Sequence, residues 1–418
     1  MKPSSMLAAR YRFVRPSRRL LFAVIDFVGW TCLRMFGRRR EAESARPIEP
    51  AVVRRILLIQ LDHLGDAVIT TSILPALKRR FPEAAFDVLA APWNWAVFAA
   101  SRDVSRIHLS KYNRFRRGLP WLWFAGLAYW SVRLRRERYD LAVDVRGDFV
   151  HAVLMRAAGI PRRVGWDCAG GGFLLTHRAG YEQGRPELLS RHALVCAVGG
   201  RPTASDEPRF QPTSEASRFI GHMLGDFRRS DRPLLVMHVG AGTQAKRWPT
   251  EHWRELMGRV ILEQDARVIL VGGESDRATS REITEDTYWP GVMDWTGRLS
   301  LDQLGALVQR SSLFVGADSG PAHLAAAVGT KTIVLFSGTN DARQWRPAGD
   351  HVAVLQQAVA CSPCYRNHCR VPGHPCLRDL SPARVAAQIQ RSLWSSEAVP
   401  PPHFAARASQ RPLRGDER

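Results

Sequence analysis

The sequence has few acidic residues. Its 418 residues include 39 Asp and Glu against 60 Lys and Arg, which gives a formal net charge of +21. A surplus of this size favours anionic partners, such as nucleic acid, phosphorylated small molecules or an acidic membrane face. A solvated Arg-rich surface explains the same surplus, so charge alone selects no function. The hydrophobic content of 45% is sufficient for two domains with their own cores.

Several nucleotide- and metal-binding signatures are also missing. The sequence contains no GxxxxGK[ST] phosphate loop, no GxGxxG dinucleotide fingerprint and no DxD motif in a turn suited to metal binding. These absences exclude a Walker-type NTPase and disfavour NAD or FAD. No recognised nucleic-acid module or aromatic–basic strand occurs either. We therefore expect no nucleic-acid partner and no cofactor.

A long uninterrupted apolar run is absent. The most apolar stretch, LLFAVIDFVGWTCLRMF, contains Asp26 and Arg34 and is shorter than the roughly 20 apolar residues of a membrane span. No apolar core precedes a small-residue cleavage site, so no secretory signal is expected. The stretch lies between RPSRR and GRRR. This predicts an N-terminal extension, residues 1–50, with a helix in an anionic membrane interface. A disordered basic tail and a true span are the alternatives.

Cysteine is scarce, and most of it is concentrated in one segment. Of seven Cys, four occur in CSPCYRNHCRVPGHPC, namely Cys361, Cys364, Cys369 and Cys376. The scattered remainder is typical of a reducing compartment. Paired structural zinc sites usually show two CxxC knuckles, and only one is present. A bound metal, reduced structural thiols and a labile disulfide all stay open, and we predict no catalytic metal site.

The chain is organised as two alternations of strand and helix. RRILLIQL, FDVLAAP and YDLAVDV are predicted strands of the first, and DAVITTSILPALKRRFP is a predicted helix. PLLVMHV, ARVILVGG, LFVGA and TIVLF are predicted strands of the second. Such alternation predicts parallel sheets with right-handed crossovers. The polar passage around 199–216 separates two α/β domains, predicted at 51–225 and 226–395, before a disordered tail at 396–418.

Three strand-to-helix turns carry chemistry, and the first is QLDHLGDAVITT. Ligands of open parallel sheets bind at the carboxyl ends of the strands, where these turns lie. Asp66 begins a helix in this turn. It is either an N-cap or a general base that takes a proton from an acceptor hydroxyl. Asp62 is a second carboxylate in the same loop, so the two roles can be divided.

The second turn is HVGAGTQAKRWPTEHW. Gly240 and Gly242 expose backbone N–H groups. Thr243 adds a hydroxyl, and Lys246 supplies a cation just before a helix. This combination resembles an anion nest that leads into a helix N-terminus, an arrangement suited to phosphate. We therefore predict that this turn binds the phosphates of a ligand.

The third turn is GADSGPAHLAAAVG. Ser319 and the Gly320 amide are placed to reach phosphate oxygens, and Asp318 and His323 are candidates for sugar or phosphate contacts. A helix cap plus a core histidine explains one of these residues but not the whole set. Nearby, Glu274 in LVGGESD follows a strand at the position where an acidic residue commonly binds ribose hydroxyls.

Together these segments resemble glycosyltransferase family 9, the ADP-heptose:lipopolysaccharide heptosyltransferase family. The similarity rests on four segments between residues 54 and 393 that occur in the family's order: RILLIQLDHLGDAVITTSILPALKRRFPEA, HVGAGTQAKRWPTEHW, DWTGRLSLDQLGALVQRSSLFVGADSGPAHLAAAVGTKTIVLFSGTND and CSPCYRNHC. Several ordered motifs are far more specific than any one of them. Gln60, where many members carry Lys or Arg, and the LDHLGD form are departures from the family pattern.

The resemblance implies the GT-B architecture, in which two Rossmann-like domains face each other across a cleft. It implies metal-independent transfer with inversion from a nucleotide sugar, ADP-heptose first, to a lipopolysaccharide core or related anionic glycolipid. It places Asp66 as the catalytic base and the following residues at the donor: Gly242, Thr243, Lys246, Glu274, Asp318, Ser319, Gly320 and His323. We expect a cytoplasmic enzyme peripheral to the bacterial inner membrane. Another nucleotide sugar, or non-catalytic binding of one, is the alternative.

Overall fold

The strands of the chain form two separate six-stranded sheets in a computed structural model that describes residues 16–36, 48–111, 120–228, 231–285 and 289–394. The first sheet has the order β3-β2-β1-β4-β5-β6 and the second β12-β11-β10-β7-β8-β9. All neighbouring strands are parallel. Counted from its own first strand, each sheet has the doubly wound order 3-2-1-4-5-6. The predicted α/β class is confirmed, and the two halves repeat one topology.

The first half contains the helices and strands of residues 16–197. Its strands are β1 (Arg55–Gln60), β2 (Ala85–Ala90), β3 (Arg106–Leu109), β4 (Leu141–Asp144), β5 (Arg162–Trp166) and β6 (His177–Ala179). Its helices are α1 (Pro16–Phe36), α2 (Leu64–Thr70), α3 (Ile73–Arg80), α4 (Ala96–Ala99), α5 (Pro120–Glu137), α6 (Phe149–Ala157) and α7 (Glu187–Ala197).

The second half contains the elements that follow. Its strands are β7 (Leu234–His238), β8 (Arg267–Val271), β9 (Val292–Asp294), β10 (Leu313–Ala317), β11 (Thr332–Phe336) and β12 (Val352–Gln356). Its helices are α8 (Ser214–Leu224), α9 (Thr250–Leu262), α10 (Arg277–Thr284), α11 (Leu301–Val308), α12 (Gly320–Ala327), α13 (Ala342–Trp345), α14 (Pro375–Arg378) and α15 (Pro382–Trp394).

The segment after Gly65, predicted as one helix, is two helices. The hydroxyls of Thr70, Thr71 and Ser72 donate to backbone carbonyls three or four residues earlier, each at 2.7 Å. Hydroxyls that bond back to the helix in this way destabilise and bend it. Pro75 then removes a backbone donor from the next turn. As a result α2 is only seven residues long.

The central strands are buried because helices cover both faces of each sheet. Strands buried in this way are continuously apolar, as in β10 and β11, where every residue is buried. The halves also share an apolar contact. Leu324 of α12 is fully buried in the core cluster of the first half, and α12 packs against α2. Burying a side chain of this size contributes about 1.5–3 kcal/mol.

The polar passage connects the halves without regular secondary structure from 201 to 213. The amide of Arg209 donates to Thr71 Oγ1, and the amide of Phe210 donates to the carbonyl oxygen of Ala327, so the passage bonds to both halves. The predicted domain boundaries stay predictions. Residues 1–15, 37–47 and 396–418 lie outside the described part of the chain.

Candidate active site

The site lies where the strand order of each sheet reverses. The reversal falls between β1 and β4 in the first sheet and between β7 and β10 in the second. At such a switch point the loops diverge and leave a crevice for ligands. The two crevices adjoin each other. A Cβ at Gly65 would lie 2.9 Å from the His323 ring, and one at Gly320 would lie 2.7 Å from the Leu64 side chain. Only glycine permits this close approach between the halves.

Asp66 is the third residue of α2 and is buried. The N-cap of this helix is His63, which makes no side-chain cap bond, so Asp66 does not occupy the N-cap position. Its Oδ1 instead accepts a hydrogen bond from Arg191 Nη2 at 2.9 Å. Gln60 ends β1, with both amide atoms buried and without partners among the described residues. The carboxylate is therefore held by a charge on another helix.

Arg191 is fully buried and belongs to a network that crosses between the halves. Its Nη1 donates to Glu187 Oε2 at 3.3 Å, and its guanidinium lies 4.9 Å from the centre of the Trp166 ring. Glu187 Oε1 accepts from the Tyr181 hydroxyl and from Gln344 Nε2, each at 2.8 Å. Gln344 comes from α13 of the second half. A buried network with charges of both signs fixes its members in one arrangement.

A second charged cluster lies beside the Asp66 loop. Asp62 is ion-paired with Arg146, which follows β4. Asp144 ends β4 and accepts from His151 Nδ1 at 2.9 Å. Burial opposes a charge on His151, but Asp144, with Asp148, overrides burial and raises the pKa of the imidazole. This edge of the first sheet thus presents fixed charges of both signs to the crevice.

Lys246 lies in the loop that follows β7, at the crevice of the second sheet. Its Nζ donates to Asp318 Oδ2 at 2.7 Å and to the carbonyl oxygen of Asp318 at 3.2 Å. Asn340 Nδ2 also donates to Asp318 Oδ2, at 2.7 Å. The buried Asp318 carboxylate is thereby fixed from two sides, and it holds the Lys246 ammonium group in one position. Lys246 is positioned as a point charge that an anionic ligand can share.

The loop before Lys246 has polar groups without protein partners. Thr243 Oγ1 is buried and forms no hydrogen bond to any described residue. Gly242 is exposed and faces open space. A buried hydroxyl without a partner has a desolvation cost that a ligand can relieve. The loop is held from below by Asp276, which accepts from the Gly273 amide and from Arg247 Nη2, both at 3.0 Å.

Glu274 lies at the rim of this crevice. Its side chain is 75% exposed and pairs with Arg277 at 3.0 Å. It lies at the carboxyl end of β8, in the helical turn Glu274–Asp276. The contact of Glu274 with ribose stays a prediction.

The α12 N-terminus completes the second crevice. Ser319 is the N-cap, yet its Oγ donates to the carbonyl oxygen of Ala317 at 3.2 Å and does not cap the helix. The first amides of α12, at Gly320, carry the positive end of the helix dipole. Burial, reinforced by the nearby Lys246 charge, lowers the pKa of His323 to about 4. The imidazole is therefore neutral at neutral pH.

The four clustered cysteines, all in the described part of the chain, form no disulfide, and their segment contacts the loop of Lys246, where the Cys369 amide donates to Gln244 Oε1 at 3.3 Å. Cys376 is buried, and burial together with the other three thiols raises its pKa. Within the described ranges, no group of three or more His, Cys, Asp or Glu side chains has an arrangement that could hold a metal ion. Cys364 donates its amide to the carbonyl oxygen of Gly338 at 2.8 Å, which ties the segment to the end of β11.

Sequence reasoning missed Arg191, Asn340 and Asp276. Asn340 and Asp276 follow strands and could have been identified by the rule that placed Lys246 and Asp318. Arg191 lies in the middle of a helix, with only apolar periodicity around it, and offered no such signal.

Comparison with known proteins identifies the family of the chain. Residues 130–374 match the profile of glycosyltransferase family 9 (heptosyltransferase). This range includes every predicted donor residue, whereas Asp66 precedes it. Lipopolysaccharide heptosyltransferase 2 of Escherichia coli strain K12 is 28% identical over 363 residues, covering 82% of this chain and 100% of the relative. Lipopolysaccharide heptosyltransferase 1 of Pseudomonas aeruginosa is 25% identical, with 82% of this chain and 99% of the relative covered.

Solved structures are similar over the same extent. A glycosyltransferase family 9 protein from Veillonella parvula has a TM-score of 0.70 at 16% identity, covering 84% of this chain and 99% of that one. The E. coli ADP-heptose lipopolysaccharide heptosyltransferase II has a TM-score of 0.66 at 23% identity, covering 81% of this chain and 98% of that one. These similarities confirm the predicted GT-B architecture. The family match spans more than half of the chain, which therefore belongs to glycosyltransferase family 9 and is a glycosyltransferase.

Proposed function

We propose that the enzyme transfers a heptose from ADP-heptose to a lipopolysaccharide-core acceptor, with inversion and without a divalent metal. The close approach of the two switch-point loops carries the proposal. It brings α2, which contains Asp66, against the start of α12, which follows Asp318, the partner of Lys246. The curated relatives named above are heptosyltransferases that act on lipopolysaccharide. This acceptor would be reached at the cytoplasmic face of the inner membrane.

In this mechanism the acceptor hydroxyl attacks the anomeric carbon of the donor. The hydroxyl proton passes to Asp66, while the bond from the anomeric carbon to the phosphate oxygen breaks. Attack from the face opposite the leaving group inverts the anomeric configuration. Arg191 keeps the Asp66 carboxylate in position without entering the reaction. A base placed in this way contributes roughly 10²–10⁴-fold to the rate.

The departing nucleotide diphosphate acquires negative charge, which the second half is arranged to stabilise. Lys246 supplies a full positive charge, and the first amides of α12 supply a partial one. The Thr243 hydroxyl is an additional donor, and Ser319 becomes one when its bond to the Ala317 carbonyl oxygen opens. Because His323 is neutral, it serves as a hydrogen-bonding group and adds no charge. These groups make a metal unnecessary for charge neutralisation.

The experiment is a transferase assay with ADP-, UDP-, GDP- and CMP-linked sugars and a heptose-deficient lipopolysaccharide core, with EDTA or magnesium. We expect product from ADP-heptose at equal rates in both conditions, with the inverted anomer by NMR. Product from another nucleotide sugar would support the proposed transferase activity but refute heptose as the transferred sugar. No turnover with any donor, combined with nucleotide-sugar binding, would support the non-catalytic alternative.

A further inference from the structure

Helix α1 has two apolar faces, and only one is covered. Its inner face packs on the first half. Phe22 contacts Phe149 edge to face at 5.5 Å between ring centroids, and Trp30 lies under the Arg178 guanidinium at 4.8 Å. A Cβ at Gly29 would lie 2.5 Å from the Phe173 ring. The helix is therefore seated on the body of the protein at defined positions.

Asp26 fixes this seating. The carboxylate is 1% exposed, and its Oδ1 accepts from the Gly171 amide at 2.7 Å. Gly170 and Gly171 both have positive φ, and side chains there would collide with Phe22 and Phe149 respectively. The loop that follows β5 is thus shaped to receive the helix. The acid that interrupts the apolar stretch has a structural partner and does not reach solvent.

The outer face is an exposed apolar stripe. Its members recur at helical spacing, and all are more than half exposed: Leu20, Leu21, Val24, Phe27, Val28 and Met35. Phe27 reaches 73%. Over 21 residues the helix is about 32 Å long, so the stripe is long and continuous. Patches of this kind on a soluble surface mark a protein or membrane contact.

The charges near the stripe favour a membrane over a protein as its partner. Asp26 is the sole acid of α1, and it is buried, so the described outer face carries no negative charge. Arg18 on the helix and Arg178, which lies over Trp30, are both exposed. An apolar face with cations near it fits the interface of an anionic bilayer. None of the described helices is both long and apolar enough to cross a bilayer.

We propose that the outer face of α1 docks on an anionic lipid bilayer and that the Asp26 seat orients the crevice towards lipid-embedded acceptors. The loop gripped by Asp26 follows β5, whose last residue, Trp166, stacks against Arg191, the partner of Asp66. The helix is thus joined to the acceptor side of the site. The orientation, but not the docking, rests on the proposed function.

Vesicle sedimentation of the full chain tests the docking without donor or acceptor. Vesicles of phosphatidylcholine with phosphatidylglycerol are compared with phosphatidylcholine alone. The double substitution Val24→Glu and Phe27→Glu should lower partitioning at least tenfold, since roughly two apolar side chains lose their burial. The matched control is Leu262→Glu, because Leu262 is an apolar side chain of the second half that is 78% exposed. The Leu262→Glu variant should bind vesicles like the wild type.

Three results would overturn the docking. In the first, the double variant sediments with vesicles as much as the wild type does. In the second, the wild type sediments equally with neutral and with anionic vesicles. In the third, the wild type is a dimer and the double substitution makes it a monomer. Unchanged thermal unfolding and unchanged transfer to a soluble, deacylated acceptor show that the double variant is folded. If the proposed reaction is wrong, transfer fails for every variant while the vesicle assay still reports on the surface.

The Asp26 seat has its own test. Asp26→Ala removes the acceptor of the Gly171 amide and frees the helix from its fixed orientation. We expect vesicle binding within twofold of wild type and transfer to a vesicle-embedded acceptor lowered about fivefold, roughly the effect of one buried hydrogen bond. Transfer to the soluble acceptor should stay unchanged. An equal fall with both acceptors would contradict an orienting role.

Discussion

The two halves repeat one strand order but differ in how their crevice residues are held. In the first half the charges at the crevice are paired across distant segments: Asp66 with Arg191, Asp62 with Arg146. In the second half Lys246 is paired with Asp318, but the buried Thr243 hydroxyl has no partner among the described residues, and a side chain at Gly242 would meet open space. Topology therefore fixes where a site lies, whereas the local side chains determine what it does.

The proposed mechanism gives this difference a reason. A base must be held in one position before the acceptor arrives, and a buried network achieves this without reorganisation. A donor site must instead accept a large anion, and the Thr243 hydroxyl is a donor that no described residue satisfies. Substitutions in the two halves should therefore act differently, and we expect the largest effect at Asp66.

Replacing the base should abolish turnover while leaving the donor site intact. Asp66→Asn removes the proton acceptor, and we expect kcat to fall about 10²–10⁴-fold in the transferase assay. The matched control is Asp206→Asn. Asp206 lies in the polar passage and is likewise a buried carboxylate, paired at 2.5 Å with an arginine of the first half, Arg79. It should lose stability but keep kcat. Equal activity of the two variants would refute the role of Asp66.

Removing the donor-side cation should act on affinity. Lys246→Ala deletes a charged donor, and we expect donor binding to weaken about 10- to 100-fold by calorimetry. Lys331→Ala is the control, because Lys331 Nζ donates to the Ser392 carbonyl oxygen at 2.7 Å, away from the crevice. Unchanged donor affinity in the Lys246→Ala variant would show that Lys246 does not bind the donor.

The histidines of the two halves should respond to pH in opposite directions. His323 has a pKa near 4 in the folded chain, against about 6.5 unfolded, so the unfolded chain binds more protons between these values. Its contribution is complete above pH 6.5 and falls with pH, by on the order of 2 kcal/mol at pH 5. In His323→Gln, the free energy of unfolding measured in urea should therefore fall less between pH 7 and pH 5 than it does in the wild type.

His151 provides the opposing comparison. Its raised pKa gives stability that is complete below the unfolded value and is lost as pH rises through the folded one. His151→Gln should steepen the acid loss in the same measurement. Identical slopes in the two variants would contradict the assignment of opposite shifts.

The unpartnered hydroxyl offers a smaller effect. Thr243→Val removes a group that makes no bond within the described chain, so the free energy of unfolding should not fall. Donor binding should weaken about fivefold, as expected for one hydrogen bond. Thr284→Val, which loses a bond to the Ser280 carbonyl oxygen, should behave in the reverse manner. A loss of stability without a loss of affinity at Thr243 would make the hydroxyl structural.

The smallest effect should come from the link between the halves. Gln344→Ala frees Glu187 Oε1 from the second half, although Tyr181 still holds it. We expect kcat to fall about threefold with donor affinity unchanged, since Gln344 Nε2 loses its hydrogen bonds to the Glu187 carboxylate and to the Tyr181 hydroxyl. Gln264→Ala, which loses a bond to the Ala386 carbonyl oxygen, is the control. Unchanged kcat would show that the hydrogen-bond network around Glu187 does not contribute to the reaction.

Much of this arrangement could be predicted from local sequence. Strand and helix periodicity located β1, β7, β10 and α12, and the rule that ligands bind at strand carboxyl ends selected Lys246 and Asp318. The hydroxyl run at residues 70–72 was visible but was not interpreted as the end of a helix. The interaction that ends α2 is local, so sequence reasoning could have found it.

The remaining features depend on contacts between distant segments. Arg191 meets Asp66 across 125 positions, and Gln344 meets Glu187 across 157. Neither pair has a spacing that a sequence reveals. The burial of Asp26 is similar, because its partner at Gly171 is 145 positions away. Sequence alone could place an acid in an apolar helix but could not show what it binds.

The division of labour between the halves is tested most directly by measuring donor affinity and turnover on the same two variants. Calorimetry with ADP-heptose should give Asp66→Asn an affinity within twofold of wild type and Lys246→Ala a clearly weaker one. The transferase assay with saturating donor should show the larger loss in Asp66→Asn. The reverse pattern, with Asp66→Asn failing to bind and Lys246→Ala binding normally, would contradict the account.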